Sequence, residues 1–79
     1  MDPSSVYIIV PAYNESAMLR ASLSPLIDAG YTVVVVNDGS RDDSRSVLES
    51  MSVVAVHHLI NLGQGAALQT GMEYARRHG

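Results

Sequence analysis

Two apolar runs of strand length, each followed at once by polar residues, constrain this chain more than any other feature. The runs cover residues 6–10 and 33–36, and neither alternates between apolar and polar side chains. Such runs are typical of parallel strands that are buried on both faces. The polar segments that follow are Tyr-Asn-Glu at residues 13–15 and Asn-Asp-Gly-Ser at residues 37–40. Because open parallel sheets bind ligands outside the carboxyl ends of their strands, we expect a binding site at this edge.

Strand and helix signals alternate along the whole chain. Strands are predicted at residues 6–10, 32–36 and 53–57, and helices at about residues 14–30, 42–51 and 63–79. Strands in this order are joined by right-handed crossovers and lie parallel. The sequence therefore predicts an α/β fold, a three-layer βαβαβα half of a doubly wound, Rossmann-like parallel sheet with strand order 3-2-1.

Each predicted helix carries signals for its boundaries and its buried face. Asn14 can cap the first helix and Ser40 lies near the cap of the second. Pro25 predicts a kink in the first helix, or a short separate helix that Ser24 caps with Pro25 in its first turn. Gly71 would be costly inside the third helix unless that helix approaches the sheet closely. The residues predicted to face the core are Leu19, Leu23, Leu26 and Ile27, then Val47, Leu48 and Met51, and then Leu68, Met72 and Ala75.

Composition excludes several classes of function. The 79 residues suffice for one small domain, and the lack of cysteine excludes disulfides and favours a reducing, cytoplasmic compartment. A net charge of -3, with five scattered arginines and no lysine, argues against nucleic-acid binding. The longest apolar run is far shorter than the roughly 20 residues that span a bilayer, so no membrane segment is expected.

Two common nucleotide motifs are also excluded. Residues 63–68, Gly-Gln-Gly-Ala-Ala-Leu, lack the third glycine of a dinucleotide fingerprint and follow the third strand rather than the first. A P-loop needs a lysine, and the chain has none.

Three segments together point to one family. They cover residues 9–15, 36–40 and 61–68, with Gly71 following the third. In order and spacing they resemble the family 2 glycosyltransferases, inverting enzymes of the GT-A fold that use nucleotide-diphosphate sugars. The third segment is most similar to the polyprenyl-phosphate sugar synthase branch. The resemblance implies that residues 1–79 form a single N-terminal nucleotide-sugar-binding subdomain.

The first segment would bind the nucleoside. Pro11, Ala12 and Tyr13 would line the base pocket, with the Tyr13 ring against the face of the base. Glu15 would reach the ribose or the edge of the base. The alternatives are that Glu15 is only a first-turn acid of the following helix and that Tyr13 only packs.

The second and third segments would hold the rest of the donor. By resemblance, Asp38 would accept from a ring N–H of uracil or guanine, and Gly39 would let the backbone pass close to the ligand. Asn61, Gly63 and Gly65 would shape the side that holds the sugar and the diphosphate, near helix amides. The alternative for Asp38 is a turn cap.

Other polar residues are assigned structural roles. Asp42 and Asp43 complement the dipole of the second helix and are not a metal pair. His57 and His58 close the third strand at the functional edge, where structural or solvent-facing roles are favoured over catalysis.

The family's Asp-x-Asp motif, which holds a divalent metal on the diphosphate, does not occur here. We therefore expect a chain truncated before that motif, with no catalytic residues or metal ligands of its own and no activity alone. The full-length enzyme would use Mn or Mg and could be membrane-associated. Two alternatives stay open, a non-catalytic assembly or regulatory module and a different nucleotide-using α/β transferase.

Association is the last expectation from the sequence. With strand order 3-2-1 the first strand lies at the edge of the sheet, and its run of residues 6–10 contains no lysine or proline to discourage pairing. A homodimer through this edge is therefore predicted.

Overall fold

The computed structural model describes residues 2–79 and contains three strands and three α-helices in alternation. A short 3-10 helix at Pro3–Ser5 precedes them. The elements are β1 (Tyr7–Ala12), α1 (Ser16–Asp28), β2 (Thr32–Asp38), α2 (Ser44–Glu49), β3 (Val54–His58) and α3 (Gln64–His78). Both strand pairs are parallel and β2 is central. The predicted βαβαβα fold and strand order 3-2-1 are confirmed.

Helices cover both faces of the sheet because β2 presents apolar side chains on both faces. Val33 and Val35 join Leu19, Leu23 and Leu48 from α1 and α2 in one buried cluster. On the opposite face, α3 packs against β1 and β2. Residues 33–36 are at most 2% exposed, so burial of this run on both faces is confirmed. In contrast, β1 and β3 are mostly half-buried because they are edge strands.

Helix α1 has the predicted buried face but a different cap. Its N-cap residue is Glu15, which makes no side-chain capping bond. Asn14 does not cap the helix, because it adopts a left-handed conformation with φ 51° and its Oδ1 accepts from Arg41 N–H at 2.8 Å. Asp42, from the loop after β2, supplies the missing acceptor at 3.1 Å to the N–H of Ser16.

Of the two outcomes predicted at Pro25, the separate second helix is wrong. Pro25 lies inside a helix that continues to Asp28. Ser24 does not start a second helix, since its hydroxyl donates to the Arg20 carbonyl at 2.6 Å.

Helix α2 is shorter than predicted and starts later. Ser40 lies outside it and accepts from Asn14 N–H at 2.9 Å. The first turn is held instead by Asp42, which accepts from the N–H of Ser44 at 2.9 Å and also from the Ser44 hydroxyl. Asp42 therefore connects the starts of α1 and α2.

Of the three residues predicted for the buried face of α3, Ala75 is half-buried, but the prediction is wrong at Leu68 and Met72. Ala67 and Gly71 are buried, whereas Leu68 is 38% exposed and Met72 is 58% exposed. A Cβ at Gly71 would overlap the Ile9 side chain and lie 3.3 Å from Val36 Cγ2. The close approach of helix and sheet that Gly71 implied is confirmed, and this approach decides which face of α3 is buried.

Candidate functional site

A cavity of about 370 Å³ opens at the carboxyl ends of β1 and β2, beside the start of α3. Its lining comes from the β1–α1 loop, the end of β2 and the β3–α3 loop. The lining residues are Pro11, Ala12, Tyr13, Glu15, Asp38, Asn61, Gly63 and Gln64. The structure thus brings together seven of the nine residues predicted for the site. Gly39 and Gly65 are not part of the lining, and Gln64 was missed although it lies between two predicted glycines.

Two hydrogen bonds join the β1–α1 loop to the β2–α2 loop. Besides the bond from Arg41 to Asn14, the Asn14 N–H donates to Ser40 Oγ at 2.9 Å. Tyr13 follows the end of β1 and is 42% exposed, so much of its side chain is accessible. An accessible aromatic ring beside a cavity offers a stacking surface for a planar ligand.

Asp38 is the most constrained side chain of the cavity. Its residue is 3% exposed. Oδ1 accepts from His58 Nδ1 at 2.8 Å and from Leu62 N–H at 2.9 Å, and Oδ2 accepts from Gly63 N–H at 2.8 Å. The bond from His58, followed by that from Leu62, holds the pKa of the Asp38 carboxyl below its ordinary value. Asp38 is therefore an ionised acceptor that also fixes the β3–α3 loop.

The two histidines at the end of β3 have different partners. Asn37 Nδ2 lies 3.1 Å from His57 Nδ1; an amide nitrogen only donates, so this ring nitrogen accepts. Burial lowers the pKa of His57, in agreement with a neutral ring. His58 instead donates from Nδ1 to Asp38 and reaches Thr70 Oγ1 with Nε2 at 2.9 Å.

Position 39 requires a glycine for a structural reason that differs from the predicted one. Its φ is 72°, and a Cβ there would overlap the backbone of Ile60 and Asn61. The Gly39 backbone therefore passes close to the β3–α3 loop, whereas the prediction had it pass close to a ligand. Gly65, on the first turn of α3, has open space around it.

The N-terminus of α3, which is the positive end of the helix dipole, lies beside the cavity. Gly63, with φ 98°, is the N-cap residue of α3 and has no side chain to cap the next amides. Its own N–H is taken by Asp38. The following first-turn amides lack intrahelical partners, and the helix dipole favours negative charge at this end.

No lining residue is basic, and the two charged ones are the acids Glu15 and Asp38. Within residues 2–79 there is no group of three or more His, Cys, Asp or Glu side chains that could hold a metal ion. Asp38 already accepts three hydrogen bonds. The residues present therefore do not fit a divalent-metal site.

None of the helices in residues 2–79 combines the length and the apolar character needed to cross a membrane.

Comparisons with known proteins agree with this architecture. The sequence model of glycosyl transferase family 2 matches residues 7–77. Similar curated proteins include an uncharacterized protein of Methanocaldococcus jannaschii, 36% identical over 95% of this chain and 31% of the relative. A dolichyl-phosphate beta-glucosyltransferase of Trichomonas vaginalis is 34% identical over 95% of this chain and 29% of the relative. An undecaprenyl-phosphate 4-deoxy-4-formamido-L-arabinose transferase of Shewanella sediminis is 34% identical over 90% of this chain and 25% of the relative.

The chain thus spans about a third or less of these relatives. A family match over nearly its whole length, on a sheet with the strand order predicted from its sequence, means that this chain belongs to glycosyl transferase family 2.

Proposed function

We propose that this chain is the nucleotide-recognition part of a glycosyltransferase, which transfers a sugar from a UDP- or GDP-linked donor to an acceptor. The observation that carries the proposal is the cavity at the strand ends, where an accessible aromatic ring, an ionised carboxylate and a helix N-terminus converge. The ring of Tyr13 stacks on the base, and Asp38 accepts from a ring N–H. Glu15 contacts the ribose or the base edge, and the residues from Asn61 to Gly65 lie beside the diphosphate.

The acceptor in this proposal is a polyprenyl phosphate. The names of two relatives specify dolichyl phosphate and undecaprenyl phosphate. Such an acceptor places the full-length enzyme at a membrane, with this part on the cytoplasmic side, in keeping with a sequence that contains no cysteine.

Catalysis needs groups that these residues do not supply. A diphosphate beside Glu15 and Asp38 would be repelled without a cation, and the lining residues include no basic side chain. We therefore assign the Mn or Mg ion to ligands outside this chain and expect the pure 79-residue protein to be inactive. Turnover of any nucleotide sugar by that protein would contradict this part of the proposal.

Base-selective binding tests the proposal directly. Titration of the protein with UDP, GDP, CDP and ADP, with Mn present, should show binding of UDP or GDP well above that of CDP and ADP. Tyr13→Ala should weaken binding about 5- to 150-fold, because base–aromatic stacking is worth roughly 1–3 kcal/mol. Tyr31→Ala is the matched control, since Tyr31 is 38% exposed but lies at the other end of the sheet, next to the start of β2. Equal affinity for all four nucleotides, or equal loss in both variants, would refute the assigned roles.

Association through β1 is a separate part of the proposal. Thr32 N–H donates to Val6 O at 3.1 Å, and main-chain groups alternate in direction along a parallel strand. Tyr7, Ile9 and Pro11 therefore direct their main-chain groups to the open edge. Since Pro11 has no N–H, the donors that remain for a second copy are those of Tyr7 and Ile9.

Light scattering should give twice the monomer mass of 8.5 kDa if two copies pair along this edge. Ile9→Pro removes an edge donor and should give a monomer, whereas Ile9→Val keeps the N–H and should leave the dimer intact. A wild-type monomer at high micromolar concentration would contradict the dimer.

A further inference from the structure

Most of the acceptor capacity of Asp38 is already used by the protein. A carboxylate offers about four acceptor positions on its two oxygens. In Asp38 both positions of Oδ1 are taken, by His58 and by Leu62, and one position of Oδ2 is taken by Gly63. The Asp38 side chain is 4% exposed, and the residue lines the cavity. One acceptor position, on Oδ2, is therefore left for a ligand.

His58 is held between Asp38 and Thr70, so its hydrogen bond to Asp38 Oδ1 is maintained. Its side chain is 11% exposed, and Nε2 lies 2.9 Å from Thr70 Oγ1 on α3. Because a carboxylate only accepts, His58 Nδ1 carries a hydrogen and donates it to Asp38. The ring cannot rotate away from Asp38 without also leaving Thr70.

We propose that His58 is a positioning residue that leaves Asp38 a single acceptor position and thereby makes the cavity select uracil over guanine. This inference rests on the proposed function, which assigns a ring N–H to Asp38. Uracil presents one N–H between two carbonyl groups, so one acceptor satisfies it. Guanine presents a ring N–H beside an amino N–H, and this pair needs two acceptors side by side. With Oδ1 occupied, the second donor of guanine would be desolvated without a partner.

The test compares uridine and guanosine, because nucleosides remove the diphosphate and its cation from the measurement. Titrations followed in ¹⁵N–¹H correlation spectra report both the dissociation constant and the integrity of the fold. Wild type should bind uridine about tenfold or more tightly than guanosine, the cost of one unpaired buried donor. His58→Leu frees the second position of Oδ1 and should bring the two affinities to within about threefold of each other.

His58→Asn is the matched control. Its amide nitrogen replaces Nδ1 as the donor to Asp38 while the contact with Thr70 is lost, so the preference for uridine should persist. A role of His58 in stability alone would weaken both nucleosides equally and leave their ratio unchanged. That result, or a wild-type preference for guanosine, would overturn the inference.

The imidazole nitrogen spectrum of wild type gives a further measurement that needs no variant. The inference requires a hydrogen on His58 Nδ1, and a ring whose hydrogen resides on Nε2 alone would overturn it. Failure of the proposed function itself looks different, because wild type would then bind neither nucleoside nor nucleotide at the cavity.

Discussion

A single methyl group added at Gly71 should destabilise this protein, although the same change elsewhere in α3 should stabilise it. Gly71 lies where α3 meets the sheet, and a Cβ there would overlap Ile9 Cγ2 and lie 3.4 Å from Ile9 Cβ. Ile9 is β-branched and sits in a strand, so its χ1 angle has little freedom to move the methyl away. Gly65, in the same helix, has nothing within 4 Å of the corresponding position.

The magnitude follows from two opposing effects. Replacing glycine by alanine in a helix gains up to about 1 kcal/mol from propensity. Overpacking a well-filled core costs about 1–3 kcal/mol. Gly71→Ala should therefore lower the free energy of unfolding by up to about 2 kcal/mol, whereas Gly65→Ala should raise it by up to about 1 kcal/mol. The difference between the two variants isolates the overlap with Ile9.

Urea denaturation of both variants measures these differences in the free energy of unfolding, if their m-values equal that of the wild type. Ile9→Ala removes the overlapping methyl, so in that background Gly71→Ala should lose most of its penalty, a coupling of about 1–3 kcal/mol. If Gly71→Ala stabilised the protein as much as Gly65→Ala, or if its penalty survived in Ile9→Ala, the close packing of α3 on β1 would be refuted.

Two further predictions concern the loops. Gly39→Ala should destabilise more than Gly63→Ala, because both glycines have positive φ but only the Cβ at Gly39 meets backbone; urea midpoints that rank the two variants the other way would contradict this. The bond from the Ser44 hydroxyl lowers the pKa of Asp42 from 3.8 to about 2, so this carboxylate stabilises the fold fully above pH 3.8 and loses that effect as the pH falls towards 2. Asp42→Asn should therefore reduce the fall in stability between pH 4 and pH 2. If the urea midpoint of this variant fell between pH 4 and pH 2 as much as that of the wild type, the assignment would be contradicted. Asp43→Asn, which removes the same charge at the adjacent residue, is the control.

The sequence was sufficient for the order of the sheet and the position of the cavity, because both follow from the central strand. The apolar run of residues 33–36 is buried on both faces, and parallel order then brings Tyr13 and Asp38 to one edge. The buried face of α3 could not be predicted in the same way. Hydrophobicity favours Leu68 and Met72, whereas the contact with the sheet is decided by the absence of a side chain at Gly71.

The hydrogen bonds of the loops were also beyond the sequence, since they join residues that are far apart in the chain. Asp42 looked like a residue of α2 alone, but it also accepts from the N–H of Ser16, 26 residues earlier. Asn14 is a residue type that commonly caps helices, yet its side chain accepts a hydrogen bond from the Arg41 N–H. A local pattern identifies a residue that can cap a helix, but not which helix is within its reach.

The three sequence segments that suggested the family are bonded to one another in the structure. Asn14 of the first contacts Ser40 of the second, and Asp38 of the second holds the N–H of Leu62 and Gly63 in the third. Gly39 allows the second and third segments to approach at all. Several of the residues that carry the resemblance therefore form the frame of the cavity rather than its ligand-facing surface. It follows that replacing Asp38 would disturb the β3–α3 loop as well as any base contact, so only a change that leaves its carboxylate in place, such as His58→Leu, separates recognition from framework.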